Sequence, residues 1–124
     1  MLRYIYILLI LIFFSSDLIA QDKRFSKKLA IIERRIEAIA ETNEDENLDY
    51  TTLLDDLGYF YDHPINLNNT TVSELMLLHI LTDVQIKNLL EHIRKNGKLL
   101  TIYELQSIRG FNLQLIFEVL PFVF

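Results

Sequence analysis

The sequence predicts an all-α fold: two similar units in tandem, four short helices in all, preceded by an N-terminal helical pair and an apolar leader. Three observations carry this expectation. Apolar residues recur at spacings of three and four through residues 25–41 and again from Tyr50 to Tyr61, which is the helical period. Residues 71–90 repeat as residues 101–120, with helix-capping residue types at the same places. The composition, with 51% hydrophobic and 23% charged residues and only 3 Gly and 2 Pro, is that of an ordered chain. A length of 124 residues allows one domain, or one small domain with an appendage.

Residues 1–20 read MLRYIYILLILIFFSSDLIA. Arg3 supplies a positive start, Tyr4 to Phe14 is an apolar run of eleven residues, and Ser15, Ser16 and Asp17 break it before the small Ala20. This is the layout of a secretory signal peptide, with the mature chain expected to start near Gln21. A membrane-spanning helix needs roughly 20 apolar residues, and this run is shorter. The expected organisation is therefore a signal peptide at 1–20, an amphipathic helical segment at 21–62 and a helical domain at 63–124. Membrane contact is expected only through the leader during export, and the product is expected to be periplasmic or associated with the outer membrane.

Residues 25–41 form the first expected helix. Phe25, Leu29, Ile32, Ile36 and Ile39 share one face, Glu33, Arg34, Arg35, Glu37 and Glu41 face the other way, and Ser26 is the candidate cap. The stripe is expected to pack on its own domain; a coiled-coil seam would need three or four heptads. An acidic connector, residues 41–49, leads into a second stripe of Tyr50, Leu53, Leu54, Leu57 and Tyr61. From Glu41 to Asp62 there are eight acidic residues and no basic one. This run lacks the residue order of a calcium-binding loop and reads as a solvated face that would repel nucleic-acid phosphates. Tyr59, Phe60 and Tyr61 could stack on bases, but their helical setting favours core or interface packing. His63-Pro64 ends the helix, since the residue before Pro is pushed out of the α region. Ile65 to Asn68 is expected to be extended.

Within the repeat, Thr71 and Glu74 match Thr101 and Glu104, two candidate capping boxes. Leu75 and Leu78 match Leu105 and Ile108; Ile86, Leu89 and Leu90 match Ile116, Val119 and Leu120. Thr82, with Gln85, and Asn112 start the second helix of each unit. Asn96-Gly97 ends the longer of these, with Arg94 and Lys95 in its last turn, where cations suit the helix dipole. Neither copy could bury its apolar face alone.

This layout resembles the tandem helix-hairpin-helix family, in the form seen in competence proteins of ComEA type. The resemblance covers residues 63–123 and rests on INLNNTTVSELMLL (65–78), HIRKNG (92–97) and LLTIYELQSIRGF (99–111). The stretch HPINLN, with Tyr103 to Gln106 and Leu120 to Val123, is most similar to exported helix-hairpin-helix proteins of Bacteroidetes. Those are usually longer chains, and this sequence stops at Phe124 on an apolar run, which fits a truncated relative or a fragment. In the family, a Gly-hydrophobic-Gly hairpin brings backbone N–H groups against a DNA phosphate at a helix start. The resemblance implies that role for Gly110, Phe111 and Asn112, with Arg109 beside them. Gly110 keeps the first glycine, Phe111 the inward hydrophobic residue, and Asn112 replaces the second glycine. The other hairpin, Ile80, Leu81 and Thr82, has lost both glycines, with Leu81 as its expected inward anchor and Thr82 as a cap.

Basic residues are sparse. Residues 63–124 hold five (Lys87, Arg94, Lys95, Lys98, Arg109) against five acidic ones (Glu74, Asp83, Glu91, Glu104, Glu118), and the whole chain has a net charge of -5. Global charge thus gives no sign of a nucleic-acid binder. The cluster Arg94, Lys95 and Lys98 could meet phosphates or could only complement the helix dipole. Two functional expectations follow. The first is an exported module holding double-stranded DNA weakly and without sequence preference, through the second hairpin and that cluster. The alternative is a cell-envelope protein–protein interaction or scaffold module with degenerate hairpins, meeting a partner through the apolar end from Leu120 to Phe124.

Other chemistry is excluded or unsupported by the residues. With no Cys there is no disulfide, thiolate zinc site, iron–sulfur cluster or cysteine nucleophile. His63, His79 and His92 lack metal-ligand spacing; His79 reads instead as a helix-end residue. No phosphate-binding Gly-rich loop or nucleophile elbow occurs. The expectation is a non-enzyme with no metal, cofactor or small-molecule substrate.

Overall fold

The structure is a computed structural model describing residues 2–42 and 48–124, with the side chains of residues 2, 3, 5, 6 and 8–20 outside the description. It is all-α. Five α-helices are described: α1 (Leu2–Thr42), α2 (Tyr50–Asp62), α3 (Val72–Met76), α4 (Asp83–Asn96) and α5 (Leu113–Val119). Short 3-10 helices lie at Leu67–Asn69, Ile102–Ser107 and Leu120–Phe122. Among the described residues no helix is long and apolar enough to cross a membrane.

α1 corrects the expectation of a helix confined to residues 25–41. It is continuous over 41 residues, and Ser26, expected as its cap, lies inside it with Oγ donating to the Lys23 carbonyl. Its inner face is shorter than the sequence stripe: Ile32 and Ile39 are buried, Ile36 packs against the core, and Phe25 is 61% exposed. The helix packs on its own domain, as expected. Lys28 forms an ion pair with Asp62 of α2 and stands over the Tyr61 ring. The acidic connector lies largely outside the described residues, at 43–47.

α2 starts at Asp49, whose carboxylate accepts from the backbone N–H groups of Thr51 and Thr52 and from the Thr52 hydroxyl. Those hydrogen bonds favour the ionised form and hold the Asp49 carboxyl below its usual pKa, the Thr52 hydroxyl contributing most. Leu53 and Leu57 are buried as expected, but Phe60 fills the third inward place, while Leu54 and Tyr50 face outward. Tyr61 is partly buried, edge-on to Phe122, and Tyr59 is exposed and stacked on His63. The helix ends at His63.

Beyond it Ile65 and Asn66 are extended, but Leu67–Asn69 coils into a 3-10 turn capped by Asn66, whose Oδ1 accepts from the Asn68 N–H. Ile65 pairs in parallel with Val123, through Ile65 N–H to Phe122 O (2.8 Å) and Phe124 N–H to Ile65 O (2.9 Å). This closes the 63–124 region end to end. Of the apolar end from Leu120 to Phe124, Phe122 and Val123 are buried, while Leu120 and Phe124 are exposed.

The repeat is visible in burial. Leu75 and Leu105, Leu78 and Ile108, Ile86 and Ile116, and Leu89 and Val119 are matched pairs, and all eight residues are buried in one core. Thr71, Thr82 and Asn112 each accept the backbone N–H three residues on, as capping residues should. At Glu74 the expected box is half made, because its carboxylate takes the Thr70 hydroxyl. Glu104 accepts the N–H groups of Leu100 and Thr101. Ile102–Ser107 is 3-10, not the α-helix expected by analogy with α3, so the four helices expected of the two units are three α-helices and one 3-10 helix. Asn68 joins the two copies: its amide donates to the Leu99 carbonyl (3.0 Å) and accepts the Leu99 N–H (2.7 Å), as one peptide group pairs with another.

Candidate functional site

The turn from Ile108 to Asn112 joins the second 3-10 helix to α5. Gly110 has φ +94°, where a side chain is strained, so Gly is required here. The Phe111 ring is buried, and its N–H donates to the Ile108 carbonyl (3.1 Å). Asn112 caps α5, Oδ1 accepting the Leu115 N–H at 2.8 Å.

Two side chains of α4 fix this turn. Gln85 Nε2 donates to the Gly110 carbonyl at 2.8 Å and Asn88 Nδ2 to the Arg109 carbonyl at 2.9 Å. A trans peptide holds its C=O and N–H in opposite directions. With the Arg109 carbonyl turned onto Asn88, the Gly110 N–H is directed away from α4. Arg109 and Gly110 are both exposed.

The first turn differs. Its left-handed residue is His79, at φ +50°, one place earlier in the repeat than Gly110. Ile80 is buried and Leu81 only partly so, which corrects the assignment of Leu81 as the inward anchor. The shift follows from the backbone: once His79 takes the left-handed turn, the next side chain swings inward. Thr82 caps α4 in a full box with Gln85. The His79 carbonyl accepts from Arg35 of α1 (3.3 Å), so this turn is covered from one side.

Arg35 is the residue that sequence reasoning placed on the wrong face. Its side chain is only 14% exposed and pairs with Glu118 of α5 at 2.8 Å, while its Nε is buried without a partner. The signal was present: Arg35 lies three residues after Ile32 and four before Ile39, on the buried side of α1. Gln85 and Asn88 gave no such signal, since their partners are backbone atoms of a distant turn.

Arg94 and Lys95 lie in the last turn of α4, and Lys98 follows the left-handed Gly97; all three are exposed. Lys95 pairs loosely with Glu91, at 3.9 Å. Gly110 docks at Gln85 in the first turn of α4, and Arg94 is nine residues further along, about 14 Å of helix. The second hairpin and the basic cluster thus occupy opposite ends of one helix and do not form a single patch. Among the described residues no group of His, Asp or Glu is gathered as a metal site would need.

Compared with family models, with curated proteins and with solved structures, the chain matches none.

Proposed function

We propose that the chain is an exported tandem helix-hairpin-helix module of competence type, with residues 1–20 as its signal peptide, and that it holds double-stranded DNA weakly through one hairpin. The observation that carries this reading is the backbone of the second turn. Gly110 is exposed at positive φ, its N–H faces away from α4, and Asn112 starts a helix directly after it. That arrangement offers a donor to a phosphate oxygen without reading bases. Arg109 adds charge next to it. Arg94, Lys95 and Lys98 would meet a different phosphate along the backbone, since they sit at the far end of α4. The first hairpin takes no part: Ile80 is buried and Arg35 holds the His79 carbonyl.

With so few cations, affinity should be low and should fall with salt only as far as the few counterions released at Arg109, Arg94, Lys95 and Lys98 allow. Fluorescence anisotropy of a labelled duplex with residues 21–124 tests this. Binding at low salt that weakens in Gly110→Val, Arg109→Ala and Lys98→Ala supports the reading. A cell-envelope scaffold is the second reading, favoured by the covered first hairpin and the net charge of -5. It predicts no duplex binding at any salt concentration.

A further inference from the structure

α1 carries its charges in an order that costs its own helix. Along one exposed face, at spacings of four and three, stand Lys23, Lys27, Ala30, Arg34, Glu37 and Glu41. Like charges four residues apart repel, as Lys23 does Lys27 and Glu37 does Glu41. Acidic residues near a helix C-terminus oppose the dipole, and Glu41 lies in the last turn of α1. Among the described residues none of the five charged side chains of this face makes an ion pair.

Beside this face runs an apolar groove of about 840 Å³ between α1 and α5, with Ala30 and Ile31 on one wall and Leu113 and Phe117 on the other. α5 buries Ile116 and Val119 and yet exposes Leu113 and Phe117, the latter by 57%. A helix apolar on both sides is expected to be covered on both. Arg35 of α1 and Glu118 of α5, which also line this groove, pair at 2.8 Å.

The geometry points to a second copy of this chain as the occupant, with α1 laid antiparallel on its two-fold mate. In a register centred on Ile32, Lys23 falls opposite Glu41 and Lys27 opposite Glu37, each pair occurring twice. The charge order that burdens one helix thereby becomes complementary between two. The same two-fold contact is isologous and closed, and it brings Phe117 of each copy toward the groove of the other. This pairing is independent of whether the second hairpin binds DNA.

Sedimentation equilibrium of the full chain in a density-matched neutral detergent measures it. The expected result is a monomer–dimer equilibrium that weakens with added salt. Lys27→Glu and Glu37→Lys should each raise the dimer Kd about tenfold, because each turns two exposed attractions into repulsions. The double variant Lys27→Glu/Glu37→Lys should restore it, since the pair is then reversed and intact. Phe117→Glu should abolish the dimer while leaving the helical circular dichroism unchanged. A wild-type monomer at all concentrations overturns the proposal. So does a dimer indifferent to Lys27→Glu, or a double variant as weak as the singles.

Discussion

Gln85 does two jobs, and replacing it with Glu separates them. Its Oε1 accepts the Thr82 N–H at 2.9 Å, completing the α4 capping box, while its Nε2 donates to the Gly110 carbonyl at 2.8 Å. Glu also serves in a capping box, so the first bond survives in Gln85→Glu. The second does not, because a carboxylate has no donor. Losing that hydrogen bond costs about 1 kcal/mol net, and setting a carboxylate oxygen against the Gly110 carbonyl adds a further penalty of about 0.5–1 kcal/mol at this partly exposed position. The opposing gain, a negative charge in the first turn of α4, is about 0.3–1 kcal/mol. The loss wins, leaving a net destabilisation of about 1 kcal/mol. For a domain of this size that lowers Tm by roughly 4–8 °C. Thermal denaturation followed by circular dichroism reads it, and amide exchange at Gly110 and Phe111 should rise as the turn is released from α4. A variant as stable as the parent, or more so, would show that the link to the turn contributes nothing and would refute the reasoning.

The remaining predictions rest on equally local contacts. Asn68→Ala strips both partners from the Leu99 peptide, so chemical denaturation should show a loss of about 2–3 kcal/mol; a loss below about 0.5 kcal/mol would mean that water replaces the amide without penalty. Gly110→Ala should cost about 1–2 kcal/mol in thermal or chemical denaturation, because φ +94° strains any residue with a Cβ and the added methyl would crowd Gln85 Cγ at 3.3 Å. The Asp49 carboxyl has its pKa lowered in the folded state, so its contribution is fully present above the ordinary carboxylate value of about 4 and is lost as pH falls through the lower folded value. Asp49→Asn caps equally well without titrating, so the difference in Tm between the two proteins should narrow or reverse only in that acid range, read from thermal melts across pH. In a double-mutant cycle, Arg35→Met and Glu118→Gln should couple by about 0.5–1.5 kcal/mol, a range discounted because Glu118 is partly exposed.

What the sequence disclosed and what it hid divide along a physical line. Capping and burial within one element are local, so Thr71, Thr82, Asn112, the Gly97 stop and the matched core pairs of the repeat were legible. The helix expected over residues 25–41 runs on to Leu2 because its apolar stripe marks only where it packs, and nothing before residue 25 stops a helix; the first Gly is Gly58 and the first Pro is Pro64. The 3-10 form of Ile102–Ser107 and the one-residue shift of the left-handed turn to His79 were hidden for another reason. They are choices between backbones with the same side-chain pattern. Arg35 was read by its charge and not by its place between Ile32 and Ile39. The candidate hairpin was legible through Gly110, Phe111 and Asn112, but the bonds that orient it, from Gln85 and Asn88, join residues over twenty positions apart. Likewise, the separation of Arg94 and Lys95 from that hairpin is set by where it docks along α4, which no local pattern encodes.

The most direct test of the proposed function is a salt titration of duplex binding by fluorescence anisotropy, comparing the parent with Gly110→Val. Binding that weakens from low to near-physiological salt, and is weakened at every salt concentration by Gly110→Val, is the predicted result. No binding at the lowest salt, or binding untouched by Gly110→Val, would contradict phosphate contact at the second hairpin.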